Sequence, residues 1–335
     1  MSLETAWFCI IVVFWLGYLF LEGFDFGVGM LLPILGRDNT ERRVMINTIG
    51  PVWDGNEVWL IVAAGVMFAA FPDWYASLFS GAYLPLLLVL LALIGRGVAF
   101  EYRGKVDSER WRRTWDRVIM IGSWIPPLGV GLLLTTTVLG LPLDQHGNRI
   151  GSAFEAVRWD TLLGALAVVG FSLVHGAAFL ALKTAGDLRD RARLLAVRIL
   201  PFALAPLIAL LVLVQAREGA LWTVAPLVVA GVAAAVAWQR LAADRDGQAF
   251  AALGVTIAAA VVTLFGALYP DVLPSTVDAA NSLTVTNAAS SRYTLEVISW
   301  VGGFGAPAVL IYQGWTYWVF RKRISASHIP PVHTP

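Results

Sequence analysis

A succession of apolar stretches constrains this chain more than any other feature, because about twenty helical residues are what the ~30 Å hydrocarbon core of a bilayer requires. Nine such stretches centre near Val13, Val62, Leu88, Leu128, Val168, Ile208, Val229, Ala259 and Val309. Their apolarity is continuous rather than alternating, which argues against a membrane β-barrel and leaves helices to satisfy the backbone in lipid. The expected fold is an all-α integral membrane protein of nine transmembrane helices. Composition agrees, with 58% hydrophobic and 14% charged residues in a chain of 335, far from the balance of a soluble protein. The first stretch follows Glu4 with neither a basic leader nor a small-residue cleavage site, so it reads as a retained span rather than a secretion signal.

The cations orient the spans, since Lys and Arg collect in short cytoplasmic loops. With the N-terminus outside and the C-terminus cytoplasmic, the first, third, fifth and seventh loops and the C-terminal tail hold nineteen of the twenty-four Lys and Arg. Arg149, Arg158, Arg217 and Arg292 fall outside, and Arg96 alone lies within a span. The tract from Leu141 to Arg158 divides the chain into 1–140, with spans one to four, and 141–270, with spans five to eight. Residues 271–335 add an outer loop, the ninth helix and a cytoplasmic tail. The segment Tyr269 to Arg292, rich in Ser, Thr, Asn and Asp, reads as a solvated outer loop. A net charge of +1 gives no sign of a nucleic-acid partner, and one cysteine, Cys9, excludes an internal disulfide and any cysteine-built zinc or iron–sulfur site.

Charge inside the apolar stretches marks where chemistry lies. A charged side chain at mid-membrane costs roughly 2.5–3.5 kcal/mol on insertion scales, so such residues face a partner or a polar cavity. Glu22 and Asp25 lie three apart on the first span, hence on one face, and Asp54 and Glu57 repeat that spacing on the second. Both pairs fall in the cytoplasmic half of their spans, where carboxyls suit proton entry through bound water. Pairing with Arg96, or with basic residues of a neighbouring subunit, is the competing structural reading, and the residues alone leave both open. Arg96 and Glu101 are five apart, about 140° around a helix, so they do not pair directly and Arg96 needs a partner elsewhere, an interfacial carboxylate or a haem propionate.

Gly23 and Gly27, followed by Gly29, allow close helix approach. Of four histidines, His146 falls in an outer loop, His328 and His333 in the tail, and only His175 within a span. It reads as a hydrogen-bonded core residue rather than a ligand, and Met30, Met45, Met67 and Met120 as core filler. Among fourteen Trp, those at Trp53, Trp74, Trp111, Trp222, Trp315 and Trp318 read as interfacial belts, while Trp59 stands beside the acidic run.

Several phrases together resemble the cytochrome bd oxidase subunit II family over nearly the whole chain. They are GFDFGVGM from Gly23 to Met30, RDNTERR from Arg37 to Arg43, WDGNEVWL from Trp53 to Leu60 and RGVAFEYR from Arg96 to Arg103. WRRTW at Trp111, GSWIPP at Gly122, His175-Gly176-Ala177 and the C-terminal NAASS, TLEVISWVGG and LIYQGWTYW complete the set. The resemblance implies two four-helix bundles plus one peripheral helix, in the bacterial cytoplasmic membrane. It implies association with a haem-binding subunit I of homologous fold that carries two b-type haems and haem d, while this chain ligates no haem and no metal. Small single-helix subunits and a bound quinone are further possibilities for the family. The complex it implies oxidises quinol, reduces dioxygen to water and takes its protons from the cytoplasm. By position, Asp54 matches a proton-path carboxylate with Asp25 and Glu22 nearby, Glu101 an acidic position, and Trp59 and Arg96 the border of oxygen access and the haem region. Glu57 ranks below Asp54, because other family members can carry Gln there. Two other classes compete: a structural assembly subunit, and an ion-coupled transporter, whose paired broken helices in both halves are not evident here.

Overall fold

The computed structural model describes residues 1–329 apart from 153 and 155, so His333 lies outside the described residues. Twelve α-helices follow in chain order: α1 Leu3–Leu35, α2 Asn39–Ile49, α3 Trp53–Ala70, α4 Pro72–Gly81, α5 Tyr83–Tyr102, α6 Glu109–Leu139, α7 Trp159–Lys183, α8 Asp187–Ala203, α9 Ala205–Glu218, α10 Val224–Ala242, α11 Asp246–Leu268 and α12 Arg292–Val319. Among the described residues eight are helices, or nearly continuous helix pairs such as α8–α9, long and apolar enough to cross a membrane. The second apolar stretch is not one straight rod: α2 and α3 bend by 46° at a break holding Gly50 and Pro51. Proline has no N–H for the helical ladder, so the break falls where the chain loses a donor. Counting that bent pair gives a ninth candidate span. Local chemistry starts the helices: Ser2 accepts from Thr5 N at 3.2 Å, Asp38 from Glu41 N at 2.8 Å and Ser108 from Trp111 N at 3.4 Å, each satisfying an orphan donor.

In lipid, apolar side chains gain little by leaving the solvent, so helices associate by close packing and small residues decide where they cross. A Cβ on Gly27 of α1 would lie 2.0 Å from the Ser172 carbonyl and 2.7 Å from the Gly176 Cα of α7. Gly131 of α6 meets α7 in the same way, a Cβ there falling 2.4 Å from the Gly164 carbonyl. Helix α7 is thus a hub, packed along α1, α6, α8 and α9. By contrast α12 rests on α3 and α1, and Leu295 is its one buried residue.

Ion pairs close one end of the bundle. Asp116 binds Arg42 at 3.0 Å and Arg103 at 2.5 Å, Glu41 binds Arg191 at 2.7 Å, and Asp246 takes Arg189 at 2.8 Å and Arg323 at 3.1 Å. These contacts bring the first, third, fifth and seventh loops and the C-terminal tail to the same end, where most of the chain's cations were expected to share one side. At the other end the segment from Tyr269 to Arg292 differs from the expected solvated loop. Strands β1 Asp271–Leu273 and β2 Leu283–Thr284 pair antiparallel, Val272, Leu273, Leu283 and Val285 are buried, and backbone bonds join Leu141 to Pro274 and Thr276 to Leu141. Polar composition marked the turns, but the minority of apolar residues, facing the 141–149 loop, makes the segment a packed cap. Trp74 likewise leaves the expected belt: it is fully buried against Phe8 and Phe71.

Candidate functional site

Arg96 sits at the heart of the first group of helices. Its spacing on α5 turns it away from Glu101, and it pairs instead with Glu22 of α1, with both side chains wholly enclosed. Glu57 of α3 approaches the same guanidinium nitrogen at 3.7 Å, with 22% of its side chain exposed. The Phe26 and Phe100 rings cover the guanidinium at 4.9 and 5.3 Å, supplying cation–π contact where water is excluded. The partner sought for Arg96 therefore lies within this chain. Arg96 Nε and Nη2, Glu22 Oε2, Asp25 Oδ1 and the Tyr18 hydroxyl are buried without a hydrogen-bond partner among the described residues.

A second chain of contacts leaves this cluster toward α12. Asp25, fully buried, accepts from Asn56 Nδ2 at 2.7 Å. Asn56 Oδ1 accepts from the Tyr317 hydroxyl at 2.7 Å and from Gln313 Nε2 at 3.2 Å. Gln313 Oε1 in turn accepts from Trp59 Nε1 at 2.8 Å. The Trp59 ring lies 5.7 Å from that of Phe14 and fills the space over Gly17, where a Cβ would fall 2.2 Å from it.

The structure thus brings together Glu22, Asp25, Glu57 and Arg96, with Trp59 one link away. It does not bring in Asp54 or Glu101, both exposed. Asp54 occupies the first turn of α3, where a carboxylate favours the helix dipole, and Glu101 stands at the last turn of α5. Glu57 rather than Asp54 reaches the arginine. Asn56, Gln313, Tyr317 and Tyr18 are site residues that reading for charge passes over. A signal existed: Gln313 and Tyr317 are four apart, so one face of an otherwise apolar helix carries two polar groups.

His175 belongs to a different environment. Its Nε2 lies 3.0 Å from the Phe20 carbonyl, and its ring stacks on Phe250 at 4.5 Å and Phe171 at 4.8 Å. Both faces are covered and Nε2 is engaged with the backbone, the environment of a packed core residue. Among the described residues no group of three or more His, Cys, Asp or Glu is arranged to hold a metal ion.

Fold and cluster together define a class: a polytopic helical membrane protein that buries several carboxyl groups beside one arginine. The chain belongs to the cytochrome bd terminal oxidase subunit II family, whose model matches residues 3–320. It is 42% identical to the cytochrome bd ubiquinol oxidase subunit 2 of Bacillus subtilis (strain 168), over 97% of each chain. It is 36% identical to the cytochrome bd-I ubiquinol oxidase subunit 2 of Escherichia coli (strain K12), over 98% of this chain and 96% of that one. A solved bd oxidase from Geobacillus thermodenitrificans shares the fold, with a TM-score of 0.76 at 19% identity, covering 95% of this chain and 97% of its counterpart.

Proposed function

We propose that this chain is the second, non-haem-ligating subunit of a quinol oxidase complex in a bacterial cytoplasmic membrane. It supports a haem-bearing subunit I, which carries two b-type haems and haem d, and it conducts protons toward the oxygen-reducing centre. The complex oxidises quinol, reduces dioxygen to water and so builds a proton-motive force. The N-terminus lies outside and the basic end of the bundle faces the cytoplasm, a reading that the cation distribution supports. Spans one to four and five to eight form two bundles, with α12 peripheral.

The observation that carries the proton role is the enclosed group of Glu22, Asp25 and Glu57 around Arg96. One guanidinium balances one carboxylate, so the other two acids reach neutrality only by carrying protons, which makes the group an exchangeable proton store in low dielectric. Glu57 bridges the exposed rim and the enclosed pair. Asp54 and Glu101, both exposed, collect protons at the mouth. The Trp59–Phe14 contact is an aromatic border of the group and the side on which dioxygen, an apolar gas, passes. A second reading, pure scaffolding, draws on the complete enclosure of the Glu22–Arg96 pair.

Oxygen consumption of the purified two-subunit complex separates them. Asp25→Asn is expected to lower quinol-driven turnover about tenfold, a transition-state change of about 1.4 kcal/mol, with the haem d spectrum intact, whereas Glu57→Gln, a residue the family resemblance allows at that position, is expected to change it less than threefold. Loss of haem with the activity supports the scaffold, and full turnover in Asp25→Asn ends the proton role.

A further inference from the structure

We infer that Trp59, Gln313 and Tyr317 fix the orientation of the Asn56 amide and so aim its N–H at Asp25, which makes Asn56 a positioning residue for that carboxyl. Trp59 is the one group in the chain of contacts whose hydrogen-bonding polarity cannot be reversed. An indole nitrogen donates and never accepts, so the side-chain atom 2.8 Å from Trp59 Nε1 is the Gln313 oxygen. The Gln313 amide nitrogen therefore faces Asn56 at 3.2 Å, and the Asn56 atom that meets it is oxygen. The Tyr317 hydroxyl donates to the same oxygen at 2.7 Å. Asn56 is left with its NH2 toward Asp25, 2.7 Å away.

Turning the Asn56 amide over would set its NH2 against the Gln313 NH2 and its oxygen against the Asp25 carboxyl. The first contact is repulsive whatever the acid's state, and the second is repulsive whenever the facing Asp25 oxygen carries no proton, so the observed orientation is the one that serves both states of the acid. Every link donates in one direction, from α3 at Trp59, through α12, back to α3 at Asn56, and on to α1 at Asp25. Helix α12 has little buried surface of its own, yet it supplies two of the links. The other Asp25 oxygen has no donor among the described residues and has the carboxyl of Glu22 as a close neighbour, so Asn56 is the neutral donor that holds this carboxyl. Charged or titratable neighbours in the same group are Glu22 and Tyr18 on α1, Glu57 on α3, Arg96 on α5 and Tyr317 on α12.

The turnover readout rests on the proton role proposed for Asp25, whereas the orientation does not, and the experiment keeps the two apart. In the complex with the haem-bearing subunit, infrared difference spectra identify the Asp25 bands as those lost in Asp25→Asn. Trp59→Phe and Tyr317→Phe keep the rings and remove one donor each. Each is expected to shift the Asp25 bands and displace the pH profile of turnover, and to lower the rate roughly three- to tenfold, the scale of one hydrogen bond. Trp315→Phe, exposed on α12 and outside the chain of contacts, is expected to change none of these. In an Asp25→Asn background, Tyr317→Phe should alter the residual rate less than twofold. Bands unmoved in both Trp59→Phe and Tyr317→Phe, at full haem content, overturn the inference. Full turnover in Asp25→Asn with the bands still shifted in Tyr317→Phe overturns the proton role and upholds the inference.

Discussion

The two halves of the membrane domain bury polar groups in opposite ways. Around Arg96 three carboxyls crowd one cation, several of their atoms lack protein partners, and the whole group depends on a balance of charge. Around His175 the buried group carries aromatic rings on both faces and a backbone oxygen at Nε2, and its Nδ1 alone is without a partner among the described residues. Its ring neighbours Phe20, Phe24, Phe171 and Phe250 bring no charge. Burial by itself therefore does not mark function. An enclosed charge needs its partner and its protons, while an enclosed neutral imidazole needs one acceptor and good packing.

The largest effect should come from Arg96→Leu. Removing one partner of a buried pair typically costs about 3–5 kcal/mol, and here three acids lose their one cation. The expected outcome is failure of the purified complex to assemble, read as loss of the haem spectrum and of the detergent-solubilised melting transition. A stable, fully assembled Arg96→Leu complex would remove the contrast between the halves. Gly27→Ala tests the seam that joins them: a methyl group 2.0 Å from the Ser172 carbonyl must push α1 from α7. The expected loss is roughly 1–3 kcal/mol, seen as a lower melting temperature, with turnover per assembled complex falling less than stability.

His175→Leu sharpens the comparison from the neutral side. It gives up one hydrogen bond and ring stacking, about 1–2 kcal/mol together, and should leave haem content and oxygen consumption at the wild-type level. A lost haem signal would show that His175 is more than a packed core residue. The smallest effect belongs to the loop between the halves. Asp144 accepts from the backbone N–H groups of Asn148 at 2.9 Å and His146 at 2.8 Å, and these bonds hold its carboxyl below the usual range. Its contribution is present above the ordinary carboxylate pKa and fades as pH falls through the lower folded value. Asp144→Asn should lower the exchange protection of the His146 and Asn148 amides at neutral pH and leave turnover untouched, and in the wild type that protection, referred to the intrinsic exchange rate at each pH, should fall on acidification.

Much of this was legible one residue at a time. Hydropathy located the apolar stretches because the length a helix needs in lipid is fixed by the bilayer and not by neighbours. The embedded acids and Arg96 stood out because charge in such stretches is rare, and the loop cations foretold which segments meet at one end. Gly50 and Pro51 were visible too, yet a single span through Val62 concealed a bend of 46°, since a proline weakens a helix without saying how far the chain turns. Asp54 and Glu57 shared a spacing but not a fate: one is exposed and the other reaches Arg96. Periodicity assigns a face, and only the packed neighbours decide what that face meets.

The sequence by itself determined the class of molecule, its run of spans, the asymmetry of its cations and the family to which its motifs belong, because each depends on composition or local spacing. Tertiary structure alone decided that Arg96 answers Glu22, that Asn56 meets Gln313 and Tyr317 across more than 250 residues of chain, and that a polar outer segment folds into a cap. Those outcomes hang on which helices cross at which glycines. A hydrogen bond forms only within about 3 Å, and that distance is set by the packing of the entire bundle.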